Sequence, residues 1–374
     1  MASIGRALSK LIFPTHHAEE ILVNKVAGQS KYCAVGVQET RNSHGAAIRI
    51  FYPASQTENA TRTSLFRNPL AFVVEGYNHT FFGSLVPTPV LSVINYILSF
   101  FIWMHPLAWT TLPRCYNNIP ICDGKFPLIV WSHGLTGTGC EHGMLAITLA
   151  LRGNIVVLTH HSDGSSSLAD INTGLAISSA TKLKYIHPSY DQNYDTGFRQ
   201  RQVEYRAKEV EEARNIVLST EIGKSISNNK IIVGGFSFGA ATAGLVAATY
   251  PHIYQAAILI DGWWHIELKK LKINQDLPIQ VFEKGIKIPT IFIGSAEFES
   301  YPALCDATLR LQKLTSTKEV HVIPGTRHGN FMDAIWWLPV FVTKSLGFSG
   351  ISYPREMYSD YIALIADFVE KHTN

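Results

Sequence analysis

Short apolar runs of about five residues, separated by stretches of helical character, limit the folds open to this chain more than any other feature. Phe126 to Ser132, Ile155 to Thr159, Lys230 to Val233, Ala256 to Ile260, Ile288 to Gly294 and Glu319 to Ile323 read as strands. Gly45 to Tyr52 reads as an earlier one, ended by Pro53. Arg199 to Leu218 is rich in charges and helix formers and reads as an exposed helix. Ala240 to Tyr250 reads as a small-residue helix and Tyr358 to Lys371 as an amphipathic closing helix. Strands without polar alternation are apolar on both faces. With helices between successive strands, they call for a mostly parallel sheet covered on both sides. The expectation is an α/β architecture in which residues 1–374 form one domain.

One segment breaks the rhythm. From Gly76 to Pro113 there is no Asp, Glu, Lys or Arg. Val90, Val93, Ile94, Ile97, Leu98, Phe101 and Ile102 follow the helical period, with Ser92, Asn95 and Ser99 as a narrow polar stripe. A helix from Val90 to His105 would be about 24 Å long, short of the roughly 30 Å hydrocarbon core of a bilayer. Three readings stand: a helix buried against the domain, a helix lying on a lipid interface, or a membrane span. Composition sharpens the question, because 46% of the residues are hydrophobic and 16% charged, and that apolar excess needs a destination.

Other features exclude function classes. The net charge of +3 is scattered and argues against nucleic-acid binding. Cys33, Cys115, Cys122, Cys140 and Cys305 form no CxxC pair and are odd in number, so free thiols in a reducing compartment are the default. No ligand spacing suggests a metal or cofactor. The first residues are interrupted by Pro14, His16, His17, Glu19 and Glu20 and read as no signal peptide, which makes a cytoplasmic location the expectation. Asn59 and Asn78 head glycosylation sequons that carry no meaning there.

The candidate chemistry centres on Gly235-Phe236-Ser237-Phe238-Gly239. A strand runs into this pentapeptide and a small-residue helix leaves it. Glycines on both sides permit a sharp strand-to-helix turn that holds Ser237 strained, with its hydroxyl exposed at a helix N-terminus. Serine needs a base to become a nucleophile. His328, in the loop after the strand Glu319–Ile323, is the candidate. The acid should also follow a strand. Asp261 does so directly after Ala256–Ile260, while Glu297 and Glu299 follow the next strand and stay open as rivals. An oxyanion needs two N–H donors. Phe238 is one candidate. Leu135, in the Gly-rich segment after Ser132, is the other, with Thr136 as its rival. His133 reads as a residue that orients this loop, and His160-His161 as residues at a strand end beside the site.

Taken together, these motifs resemble the platelet-activating factor acetylhydrolases, phospholipase A2-type serine esterases of the α/β-hydrolase superfamily. The likeness covers roughly residues 31 to 335. It rests on Ile48–Pro53, Phe126–Leu135, Arg201–Glu209, Gly235–Gly239 with Ala240–Thr242, Ile260–Trp263 and Arg327–Asp333. The resemblance implies an α/β-hydrolase fold, Asp261 rather than Glu297 or Glu299 as the acid, and Leu135 and Phe238 as oxyanion donors. It implies a metal-independent reaction on phospholipids with a short or oxidised sn-2 acyl chain, and contact with a membrane or lipoprotein surface through residues 90–105. The chain departs from the family in carrying Phe236 where His is usual and Ala240 where Gly is usual, and in the segment Trp336 to Gly350. Competing readings are a general carboxylesterase, a neutral-lipid lipase, and a lipid-binding protein with an inactive site.

Overall fold

A computed structural model describes residues 32–55, 60–66, 70–83, 85–104, 110–171, 181–184, 186, 194–351 and 353–373. The sequence reading of the first residues, the Asn59 sequon position and His105 lie outside them. The first part of the chain forms β1 (Ala34–Arg41), β2 (Ala47–Ala54) and β3 (Arg62–Ser64). Two helices follow, α1 (Leu70–Phe82) and α2 (Thr88–Met104). Then come β4 (Thr111–Asn117), β5 (Phe126–Ser132), α3 (Gly143–Leu151), β6 (Ile155–Thr159), α4 (Phe198–Leu218), β7 (Ile226–Phe236) and α5 (Phe238–Thr249). The last part carries β8 (Ala256–Ile260), β9 (Thr290–Ser295), α6 (Ala296–Glu299), α7 (Pro302–Leu314), β10 (Lys318–Ile323) and α8 (Pro354–Thr373).

Among the described residues the main sheet has ten strands in the order β10-β9-β8-β7-β5-β6-β2-β1-β4-β3. From β10 to β6 every neighbour pair is parallel, as the apolar runs predict. The remaining strands make antiparallel pairs, except that β1 and β4 are parallel. Alternate residues of each strand feed two cores. Leu128, Val130, Ala257 and Leu259 join α4 and α5 on one face. Ile129, Trp131, Ile258 and Ile260 join α3 and α8 on the other. Both faces are therefore covered, which is why strands such as β6 and β8 can be apolar along nearly their whole length.

Three expectations are corrected. The strand ended by Pro53 runs through it: Pro53 pairs with Val35 in β1, and its carbonyl, which proline keeps, accepts from the Cys122 N–H at 3.0 Å. The helix read as exposed, α4, buries Arg199, Gln202, Arg206 and Glu209, because polar partners await them beneath. The charge-free segment covers the second half of α1, all of α2 and the first three residues of β4, and α2 is not buried. Of its described side chains Leu91 is buried, while Val93, Ile97, Phe100 and Phe101 are each more than half exposed. Its polarity is inverted: Asn95 faces α1, accepting from Asn78 at 2.8 Å, and the apolar side faces outward. Among the described residues no helix is long and apolar enough to cross a membrane.

Asp333 joins the second core to the N-terminus of α3. Its carboxylate accepts from the Met144 N–H at 2.9 Å and from the Tyr358 hydroxyl at 2.5 Å. Burial pushes this carboxyl up to about 8. A folded-state value above the ordinary carboxyl range means that the stability tied to Asp333 is complete below about pH 4 and is lost as pH rises through about 8. Melting temperature should therefore fall between about pH 4 and about pH 8, and Asp333→Asn should flatten that slope. An unchanged slope in the variant would assign the pH dependence to another group.

Candidate active site

The parallel strands bring their C-terminal ends together. In register, Ser132 lies opposite Gly235, Phe236 opposite Ile260, and Ile260 opposite Ile293. The residues that follow these strands therefore meet at one edge of the sheet, where ligands of open α/β folds bind.

Ser237 occupies the turn from β7 to α5 at φ 59° and ψ −120°, a backbone conformation that a residue with a Cβ rarely adopts. The turn is held by its own backbone: the Ser237 N–H donates to Ile260 O at 2.8 Å, and its carbonyl accepts from Trp263 N–H at 3.1 Å. The flanking glycines are required by close approach and not by left-handed geometry, since the positive φ falls on the serine itself. A Cβ on Gly235 would stand 2.1 Å from Gly239 O, and one on Gly239 would stand 2.0 Å from Ser132 O. The turn is tightly enclosed. Ser237 is 7% exposed and not on an open surface, as the motif suggests.

Asp261 also takes a positive φ, 45°, which turns its carboxylate across the strand ends. One oxygen accepts from the Ser295 N–H at 2.7 Å, the other from the Ser295 hydroxyl at 2.7 Å and from His328 Nδ1 at 2.6 Å. His328 lies beside the elbow because its ring stacks on Phe236, 4.5 Å between centroids and 25° between planes. Phe298 covers the ring at 4.0 Å and 8°. The rival acids have other partners. Glu297 accepts from the His328 backbone N–H at 2.8 Å, and Glu299 accepts from the Cys305 thiol at 3.2 Å.

The Gly-rich loop after β5 packs against the elbow: a Cβ on Gly134 would come within 3.3 Å of Ser237 Cβ. Thr136 is ruled out as a free donor, since its N–H is spent on Ser165 O at 2.7 Å. Among the described residues neither the Leu135 nor the Phe238 N–H has a hydrogen-bond partner, and Phe238 is the first residue of α5, where helical N–H groups are unpaired.

Behind this loop lies a buried polar cluster. Arg206 donates to His133 O at 2.6 Å, and its guanidinium lies 4.9 Å from the centre of the Phe238 ring. Burial, reinforced by the Arg206 charge, holds His133 well below its usual range. It is therefore neutral, with its Nδ1–H turned back to Gly134 O at 2.7 Å. This fits an orienting role. His161 does not line the site: it links the Ser132 hydroxyl, 2.9 Å from Nε2, to Glu209, 2.7 Å from Nδ1. Burial pushes Glu209 up to about 7 and Asp163 up to about 6. Among the described residues no group of three or more His, Cys, Asp or Glu is arranged to hold a metal ion.

The sequence reading misses Arg206, Glu209, Ser295 and Phe298. A signal exists for the first two, since Arg206 falls on the helical face of Val203 and Val210, both buried, and Glu209 stands one turn from Arg206. Ser295 and Phe298 carry no local signal.

The family model described as platelet-activating factor acetylhydrolase, isoform II, matches residues 16–374. A platelet-activating factor acetylhydrolase of Canis lupus familiaris is 28% identical over 313 residues, 77% of this chain and 63% of that protein. One of Bos taurus is 26% identical over 248 residues, 60% of this chain and 52% of that protein. A putative phospholipase A2 of Schizosaccharomyces pombe is 24% identical over 282 residues, 61% of this chain and 63% of that protein. The chain thus spans between about half and two thirds of the length of these relatives. A solved structure of a ferulic acid esterase from Streptomyces cinnamoneus superposes with a TM-score of 0.61 at 16% identity. It covers 91% of this chain and 89% of that chain. At that identity the likeness speaks for the fold alone, which is of the α/β-hydrolase type.

The crowding at Gly239 yields a test. Gly239→Ala would drive a Cβ into Ser132 O and His133 O, so it should destabilise the fold by about 1–3 kcal/mol, read as a lower denaturant midpoint. A midpoint equal to that of the parent would mean that β5 and the elbow separate freely.

Proposed function

This chain belongs to the platelet-activating factor acetylhydrolase, isoform II family, and from that premise we propose that it is a serine esterase. It cleaves the sn-2 ester of phospholipids with a short or oxidised acyl chain, giving lyso-phospholipid and a small carboxylic acid. The observation that carries this reading is the 2.6 Å contact between Asp261 and His328 Nδ1, with the imidazole stacked on the residue before Ser237.

In this mechanism Asp261 fixes the imidazole tautomer that leaves Nε2 able to take the Ser237 proton. The serine oxygen attacks the ester carbonyl, and the oxyanion is held by the Leu135 and Phe238 N–H groups. His328 passes the proton to the departing lyso-lipid oxygen, and water then hydrolyses the acyl-enzyme. The neutral His133 and the charged Arg206 hold the oxyanion loop from behind and move no proton.

Access is interfacial. Helices α1 and α2 expose Phe81, Phe82, Val93, Ile97, Phe100 and Phe101 on a segment without charged residues. An apolar face of this kind fits the boundary between lipid headgroups and acyl chains. The hairpin is tied to the oxyanion loop: the Tyr77 hydroxyl donates to Glu141 at 2.8 Å, and Glu141 accepts from the Thr138 N–H at 2.7 Å. Tyr77 thereby couples the hairpin that would meet lipid to the loop that polarises the ester.

Ser237→Ala should abolish turnover of a short-chain ester and labelling by a fluorophosphonate probe without loss of folding; surviving turnover would remove Ser237 from the mechanism. Asp261→Asn should lower kcat by about 10⁴-fold, whereas Glu297→Gln and Glu299→Gln should leave it within about tenfold. A larger loss in either glutamate variant would reassign the acid. Across a series of phospholipids, activity should fall as the sn-2 chain lengthens; preference for soluble aryl esters over all phospholipids would favour a general carboxylesterase. Asp at Ile94, Ile97 and Phe101 together should release the protein from phosphatidylcholine liposomes with its melting temperature unchanged. Unaltered partitioning would exclude docking through this face.

A further inference from the structure

A single hydrogen bond to a carboxylate fixes one atom of an imidazole. It leaves the ring free to tilt about the line from Nδ1 to the carboxylate oxygen, and that tilt swings Nε2 away from the nucleophile. The bond between His328 Nδ1 and Asp261 is of this kind. Around His328 the structure supplies what the bond lacks. Phe298 lies almost flat on one side of the ring, 4.0 Å away at 8°. Phe236 stacks on it as well, 4.5 Å away at 25°. Phe298 is only half-buried and stands on α6, a four-residue helical turn, so its contact with the imidazole is more than core filling. The same turn reaches the histidine backbone, since Glu297 accepts the His328 N–H. Its N-cap residue, Ser295, holds Asp261 through both backbone N–H and hydroxyl.

We propose that Phe298 and Glu297 are positioning residues for the base, forming with Phe236 a slot that keeps the His328 ring in the plane where Nε2 meets both the serine and the leaving group. The inference rests on the relay of Ser237, Asp261 and His328 proposed above. The slot acts in two ways. Flat contacts remove the tilt, so the reacting nitrogen is held before chemistry begins. The ring faces also carry partial negative charge, which favours the imidazolium that forms as the serine attacks. Glu297, a rival acid on sequence spacing, thereby acts through the backbone of the base and not through its ring.

The test uses the full chain and p-nitrophenyl acetate. Phe298→Leu, which keeps apolar bulk and loses the flat face, should lower kcat by about tenfold with KM within about twofold, and Phe298→Trp should restore most of the loss. Glu297→Ala should lower kcat and Glu297→Gln, which keeps an oxygen acceptor, should recover it, so a folding failure at Phe298 does not end the test. His328→Ala should be inactive and regain turnover with added imidazole in a saturable way. The double variant His328→Ala/Phe298→Leu should lose that rescue, which a purely structural role for Phe298 would not predict. An inactive His328→Ala combined with a folded Phe298→Leu at parental kcat would overturn the slot while leaving the relay intact. An active His328→Ala would overturn the relay reading itself, and the slot with it.

Discussion

Ile260 is paired in register with Phe236 on one side and Ile293 on the other, and Ser132 is paired with Gly235. Every feature of the candidate site hangs on this parallel alignment. It sets four chain reversals side by side: the oxyanion loop after β5, the elbow after β7, the Asp261 turn after β8 and the Ser295–Glu299 turn after β9. A slip of one residue in any pair would move a side chain to the opposite face of the sheet and part the carboxylate from the imidazole. The apolar faces that feed the two cores hold the register, so the cores stabilise the fold and also determine where the polar groups meet.

Close packing at the strand ends leaves the elbow no room. Gly235 and Gly239 are present because a Cβ at either would stand 2.1 or 2.0 Å from a backbone oxygen, far inside van der Waals contact. The cost of the turn falls on Ser237 and Asp261, both at positive φ. Non-glycine residues hold such a conformation only where surrounding structure over-determines it, and here the surroundings are the hydrogen bonds to Ile260, Ile293 and Trp263.

The buried charges behind the oxyanion loop follow the same logic. Arg206 is fully buried, which is tolerated because it donates to His133 O and lies near Asp163 and Glu209. Desolvation raises both carboxyls and lowers His133 and His161. The cluster thus carries less charge than its residue types suggest, and it stiffens the loop without competing for the proton that the relay moves.

Much of this was legible in the chain. The runs Phe126–Ser132, Ile155–Thr159 and Ala256–Ile260 are strands with the bounds read from their apolar character, because central parallel strands are buried on both faces and exclude polar residues. Ser237, Asp261 and His328 each stand just past a strand, so their convergence follows from parallel topology. The sequence did not determine which way each helix faces. The helix Phe198–Leu218 reads as exposed by its charges yet buries Arg206 and Glu209, and the helix Thr88–Met104, whose apolar residues leave a buried and an outward-facing placement both open in sequence, turns them outward. Periodicity defines two faces of a helix but not which one meets the protein, since that depends on partners distant in sequence. The same holds for Phe298 and Glu297, ordinary residues in a short turn that acquire a role only because β9 lies beside β8 and sets their turn against His328. Local chemistry is encoded in short windows of sequence. The choice among chemically equal partners is made by long-range packing, which alone brings those windows into contact.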